Sequence, residues 1–242
     1  DMFFPSTACI VQDKLGARHA GAFDLSAGCS GFIYSLVVAS QMIATGMYEN
    51  ILVIGAETLS KFTDWTDRNT CVVFGDGAGA VLLGPVEDGK GLIASAMGSD
   101  GSGGEMLKLP AGGSRMPASP DSVKDRLHYI KMDGREVFKN AVRYMSEAVE
   151  SVLAKCNMTN DDITFLIPHQ ANLRIIQSLG KRLKLQEDQV YVNIENYGNT
   201  SSASIVIALS ELIQSKKVKD NDVIVMTAFG AGYTWASAVI RW

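Results

Sequence analysis

Ala22-Phe23-Asp24-Leu25-Ser26-Ala27-Gly28-Cys29-Ser30-Gly31-Phe32 reads as a strand that breaks, through a knot of small residues, into a helix. An apolar run continues from Phe32 through Val38 to Ile43. It is too long and too poor in charge for a strand, so a buried helix is expected to start near Cys29. A cysteine at such a turn lies where unpaired backbone N–H groups and the helix dipole favour an anion. That predicts a stabilised thiolate and a nucleophile at neutral pH. Gly28 and Gly31 would let a ligand approach the backbone closely. The competing reading is an inert, packed cysteine.

Outward from this stretch the chain alternates strands and helices. Upstream, Ser6–Leu15 has helical spacing and closes at Gly16, and Ala20–Leu25 is the first strand. Downstream, the helix of residues 30–45 ends at Gly46. Ile51–Ala56 is a continuous apolar strand of the kind that parallel sheets bury on both faces. Glu57–Asn69 is polar and loop-like. Cys71–Leu83 is a strand broken by Gly75-Asp76-Gly77-Ala78-Gly79. That run lacks the Lys-Ser/Thr of a phosphate-binding loop and opens no helix, so close packing of backbones is its better meaning. Gly91–Met97 is a strand. Residues 98–132, rich in Gly, Ser and Pro, form a long surface excursion that could reach over the site. Then come helix Arg135–Cys156, strand Thr164–Pro168, helix Asn172–Leu183, strand Val190–Ile194 and helix Ser202–Ser215. Strands Asp222–Phe229 and Tyr233–Ile240 close the chain.

Composition sets the outer bounds. A chain of 242 residues with 47% hydrophobic and 20% charged side chains has the make-up of a soluble globular protein with ample core. The formal net charge of −4, with Lys and Arg scattered, offers no basic stripe for nucleic acid. No apolar run reaches membrane-spanning length, and the opening residues lack a signal-peptide pattern, so no membrane role is expected. Cys9, Cys29, Cys71 and Cys156 form no C-x-x-C pair and have no nearby histidine, which argues against a metal site and fits a reducing cytoplasm. The chain opens at Asp1 on the apolar Met2-Phe3-Phe4-Pro5 and reads like the middle of a longer protein.

Two segments resemble each other. Strand 23–25, Gly28-Cys29-Ser30, a small-residue helix and strand 51–56 form one; strand 192–194, Gly198-Asn199-Thr200-Ser201, a small-residue helix and strand 223–228 form the other. An α/β unit used twice would bring Cys29 and Asn199 to one crevice. Of the three histidines, His19 and His128 read as ordinary surface residues. His169, in Leu166-Ile167-Pro168-His169-Gln170-Ala171-Asn172, ends an apolar strand where α/β folds hold ligands.

Three blocks, Ser26–Phe32, His169–Ile175 and Tyr197–Ser201, resemble in order the active-site blocks of β-ketoacyl-acyl carrier protein synthase III. Phe74–Ala80 and Ala228–Gly232 match two further blocks, so the resemblance covers essentially the whole chain. It implies a thiolase-like α/β fold, layered α-β-α-β-α from two duplicated halves. Residues 1–90 would be the remainder of the first half and 91–242 the second. Family members carry roughly 80 more residues ahead of this chain's start, so the first half is expected to be incomplete and residues 1–242 alone to aggregate or show negligible synthase activity.

The resemblance implies that Cys29 takes an acyl group from coenzyme A, with the backbone N–H groups of Cys29 and Ala231 as oxyanion donors. His169 and Asn199 would hold the enolate left when malonyl-acyl carrier protein loses CO₂. Asn can be neither acid nor base, which fits an electrostatic role. Arg68 matches a coenzyme A contact and Asn172 a pantetheine-side residue. Arg174 matches a carrier-protein docking arginine, with a solvated helix face as its other reading. Phe4 matches a residue that reaches the partner's acyl pocket across a homodimer, with core packing as the alternative. No cofactor is expected: the coenzyme A thioester is a substrate, and no metal is implied. Cys, His, Asn is also the order of papain-like proteases, but no Cys-Gly-Ser-Cys-Trp block is present. Polyketide or 3-hydroxy-3-methylglutaryl-coenzyme A synthases, and an inactive fragment that only dimerises, are the remaining rivals.

Overall fold

A computed structural model describes residues 2–242. Two largely apolar helices, α2 (Gly31–Ala44) and α7 (Ala203–Gln214), lie against one another at the centre. A helix apolar all round must be covered on every side, and here sheets cover it. On one side is a two-stranded antiparallel sheet, β1 (Ile51–Thr58) with β2 (Asp76–Leu83). On the other is a four-stranded sheet of β3 (Gly91–Ser99), β6 (Phe165–Pro168), β7 (Val223–Gly230) and β8 (Thr234–Arg241), in the order β3-β8-β7-β6. Helices α4 (Gly134–Lys155) and α5 (Leu173–Leu183) cover the outer face of that larger sheet. The layers therefore run β, α, β, α. Two cores flank the larger sheet, one on α2 and α7 and one on α4 and α5. The first is shared by residues from both sides of the expected 90/91 boundary.

Local chemistry accounts for the main elements. All eight residues of β7 are buried, as befits a strand with neighbours on each edge and helices on both faces. Helix α4 turns Ala141, Met145, Ala148, Val149, Val152 and Leu153 to the sheet. The carboxylate of Asp133 caps it by accepting the Arg135 and Glu136 N–H groups, a contact of about 1 kcal/mol. The alternate glycines of β2 face α7. A Cβ on Gly77 would come within 2.9 Å of Ile207, and one on Gly79 within 2.7 Å of Val206. The glycine run is thus a place where helix and strand backbones pack closely.

Four expectations need correction. Ala20–Leu25 is extended but joins no sheet among the described residues; Asp24 instead accepts the Thr7 and Ala8 N–H groups at the start of α1 (Thr7–Lys14), each at 2.8 Å. Strand β1 pairs antiparallel, and only one face is covered: Val53 and Gly55 are buried while Leu52, Ile54 and Ala56 are exposed. Val190–Ile194 is no strand. One parallel bridge joins Val190 to Leu166, after which the Gln170 side chain takes the Tyr191 carbonyl and the Asn193 N–H, and residues 194–197 coil into α6 (Ile194–Tyr197). The surface excursion after β3 carries short elements of its own. It holds β4 (Leu107–Lys108) paired with β5 (Lys131–Met132), and the short α3 (Pro120–Lys124). His128 is half-buried, its Nε2 2.9 Å from Ser122 Oγ, rather than a free surface residue. The Arg126 guanidinium forks onto the buried Asp64 and holds that carboxyl well below its usual range.

Candidate active site

Cys29 sits in a single 3-10 turn, Gly28–Ser30, immediately before α2. Gly28 has φ +53, and a Cβ there would lie 3.1 Å from both Ala231 N and Ala231 O. A Cβ on Gly230 would lie 2.5 Å from Cys29 N. Backbone therefore meets backbone, and the turns carrying Cys29 and Ala231 converge because glycine keeps side chains out of the contact. The Ala231 N–H makes no hydrogen bond among the described residues. The Thr234 hydroxyl, 2.8 Å from the Ala27 carbonyl, ties the two turns together.

The loop of Asn199 reaches the same place from the other half. Asn199 N–H donates to Val73 O at 2.9 Å and Gly75 N–H donates to Asn199 O at 2.8 Å, so the glycine-rich entry to β2 grips this loop. A Cβ on Gly75 would overlap the Tyr197 carbonyl oxygen. The buried Asn199 accepts the Ser201 N–H on Oδ1 at 2.9 Å, which leaves its amide N–H groups to donate elsewhere. The Ser201 side chain lies near the Cys29 thiol and acts to lower its pKa. Glu57, at the end of β1, accepts from the Ser202 hydroxyl at 2.6 Å and from the Ser202 N–H at 3.3 Å.

His169 follows β6, fixed by its N–H to Thr227 O at 2.7 Å, and the residue is only 2% exposed. Its Nδ1 lies 2.7 Å from Ser204 Oγ in the first turn of α7. Burial lowers its pKa to about 4, so the ring is neutral at pH 7. Cys29 shows the opposite of the expected activation. Dense packing around its half-exposed side chain pushes the thiol up to about 11, the Ser201 side chain pulling it down and the Glu57 charge pushing it further up. The resting group is a thiol, because desolvation outweighs the turn's N–H groups.

Cys29, Ala231, Asn199 and His169 are thus linked through Ser201, Gly230 and Ser204. The other expected residues lie apart from that cluster. Asn172 is exposed, and its side chain caps α5 by accepting the Arg174 N–H at 2.9 Å. Arg174 and Arg68 are exposed, and neither side chain has a hydrogen-bond or ion-pair partner among the described residues. Phe4 is 84% exposed and packs into no core formed by the described residues. Sequence reasoning passed over Ser201, Ser202, Ser204, Gln170 and Glu57. The run of small polar residues from Asn199 to Ser204 was the only signal for the three serines. Among the described residues no group of three or more His, Cys, Asp or Glu could hold a metal, and no helix is long and apolar enough to cross a membrane.

Paired sheets around a central pair of helices, with a cysteine before one helix and an asparagine before the other, make this a thiolase-like protein. Residues 23–101 match the family described as 3-oxoacyl-[acyl-carrier-protein (ACP)] synthase III, and residues 153–242 match its C-terminal part. The whole chain is 60% identical to a β-ketoacyl-[acyl-carrier-protein] synthase III of Caldanaerobacter subterraneus subsp. tengcongensis and spans 73% of that relative's length. It superposes on the 3-oxoacyl-[acyl-carrier-protein] synthase III of Aquifex aeolicus VF5 with a TM-score of 0.91 at 48% identity, covering all of this chain and 73% of the other. The priming β-ketosynthase of the R1128 polyketide pathway is a more distant match, at 35% identity and a TM-score of 0.90 over 99% of this chain and 71% of its own. The chain belongs to the β-ketoacyl-[acyl-carrier-protein] synthase III family, acyltransferases that act as condensing enzymes of fatty-acid biosynthesis.

Proposed function

We propose that this protein runs a two-stage condensation, acylation of Cys29 by an acyl-coenzyme A followed by decarboxylative attack of malonyl-acyl carrier protein. The observation that supports the reading is the close backbone contact between the turns of Cys29 and Ala231, whose two N–H groups would serve one oxyanion. In the first stage the Cys29 sulfur bonds to the acyl carbon, the carbon–sulfur bond to coenzyme A breaks, and the thiol proton leaves with the coenzyme A sulfur. In the second, the bond from malonyl carbon to its carboxylate breaks and CO₂ departs. The electron pair becomes an enolate, whose oxygen takes N–H donors from His169 and Asn199. The enolate carbon then attacks the acyl carbonyl. The oxyanion is held by the Cys29 and Ala231 N–H groups, each worth about 2.7–4 kcal/mol in sites of this kind. Collapse expels the Cys29 thiolate, which takes up a proton from solvent to restore the resting thiol, and gives a 3-ketoacyl-carrier protein.

A neutral, buried His169 suits a hydrogen-bond donor and is a poor proton acceptor, with its pKa near 4. The reading needs no bound cofactor, because thiol, donors and two thioesters supply every step. Arg68 and Asn172 on the coenzyme A side, Arg174 for the acidic carrier, Phe4 towards a second copy, a homodimer and a cytoplasmic setting belong to the same reading. Intact-mass spectrometry after treatment with acetyl-coenzyme A tests it. One acetyl group should be added and be lost in Cys29→Ser, while Cys9→Ser, Cys71→Ser and Cys156→Ser keep it. Acylation at another cysteine would sink the assignment.

A further inference from the structure

We propose that Ser204 is a positioning residue that locks the His169 ring as its Nε2–H tautomer. Its hydroxyl, on a side chain 3% exposed, lies 2.7 Å from His169 Nδ1 and 3.2 Å from the Gln170 backbone nitrogen, and it makes no other hydrogen bond. The Gln170 N–H can only donate, so it occupies a lone pair of Ser204 Oγ. If Nδ1 also carried a proton, both neighbours would donate to Oγ, and the serine proton would be buried without an acceptor. With Nδ1 bare, the serine donates to it and every group is satisfied. The relay therefore runs from Gln170 N–H to Ser204 Oγ, from Ser204 O–H to His169 Nδ1, and leaves the ring proton on Nε2.

The parts of the relay are themselves fixed. Gln170 Nε2 donates to Pro168 O at 2.8 Å and to Tyr191 O at 3.2 Å, and its Oε1 accepts the Asn193 N–H at 3.0 Å. The backbone of residues 168–170 is thus held from both ends, and α7 brings Ser204 to it. One serine joins the helix that follows the Asn199 loop to the histidine that follows β6. The consequence for catalysis rests on the reading of His169 as an enolate donor: only an Nε2–H can serve a substrate on the side of the ring away from Ser204.

The test is made on the whole chain labelled with ¹⁵N-histidine. Two-bond ¹⁵N–¹H spectra at pH 7 distinguish the tautomers, and a His169→Asn spectrum assigns the signal among the three histidines. The wild type should show Nδ1 unprotonated and Nε2 protonated. Ser204→Ala should shift the ring to a mixture or to Nδ1–H, and Ser204→Thr, which keeps the hydroxyl, should restore the wild-type spectrum. Malonyl decarboxylation should fall about tenfold in Ser204→Ala, the scale of one buried hydrogen bond, with acetylation of Cys29 within about twofold of wild type. A wild-type ring protonated on Nδ1, or a tautomer unmoved by Ser204→Ala, overturns the proposal. A tautomer that moves while decarboxylation does not would uphold Ser204's role and refute the enolate reading of His169 instead.

Discussion

At the residue scale, the packing that puts Cys29 beside Ala231 also keeps its proton on. With the thiol pushed up to about 11, about one molecule in ten thousand carries a thiolate at pH 7. Alkylation of Cys29 by iodoacetamide, followed on its peptide by mass spectrometry, should therefore rise about tenfold per pH unit from 8 to 10 without levelling off. A plateau near pH 7–8 would restore the thiolate expected from the turn alone. His169 titrates in the opposite sense. Its folded pKa of about 4 lies below the usual 6.5, so the unfolded chain binds more protons between those values. Stability from the neutral ring is complete above pH 6.5 and drains away as pH falls to 4, by about 3 kcal/mol. Urea midpoints should drop across that window and drop less in His169→Gln; equal slopes would refute the burial argument. Asp64, held low by Arg126, acts only below its ordinary range near 3.8 and does not blur this window.

At the scale of elements, the glycine run and the site serines show what sequence carries and what it hides. The close-packing reading of Gly75–Gly79 needed only the absence of phosphate-loop residues and the alternation of glycines along a strand. Ala20–Leu25 and Val190–Ile194 have strand composition, yet hydrogen bonds that Asp24 accepts from the N–H groups of α1, and those between Gln170 and residues 191–193, decide their form. Those contacts are made in the folded chain, and local pattern does not encode them. The same holds for Ser202 with Glu57, which lie 145 positions apart. Cys29, His169 and Asn199 stand out in the sequence because each lies shortly before a helix within its own motif. Their supporting serines look like ordinary small residues at a helix start. The Gly75 contact gives a sharp expectation. Gly75→Ala must push the Asn199 loop away from β2, at a cost of about 1–3 kcal/mol. It should lower the melting temperature and cut malonyl decarboxylation more than it cuts Cys29 acetylation. A variant as stable and active as wild type would show that the loop gives way freely.

At the scale of the whole molecule, the two sheets differ in how they are held. Among the described residues, β7 has a strand on each edge and a helical layer on each face, while β1 and β2 have one another and a single covered face. Amide protons of β7 should consequently exchange with solvent only when the entire core opens, and those of β1 and β2 through a smaller, more frequent opening. Peptide-level hydrogen exchange would decide this, and equal protection in the two sheets would refute it. The hairpin of β1 and β2 carries Glu57 and, at its entry, Gly75, the two groups that clamp the loop of Asn199 and Ser202. Each such opening releases one wall of the cluster while His169 stays seated against β7. The catalyst's lifetime is then set by its most loosely tethered block, and denaturant should extinguish turnover before the larger core gives any sign of melting.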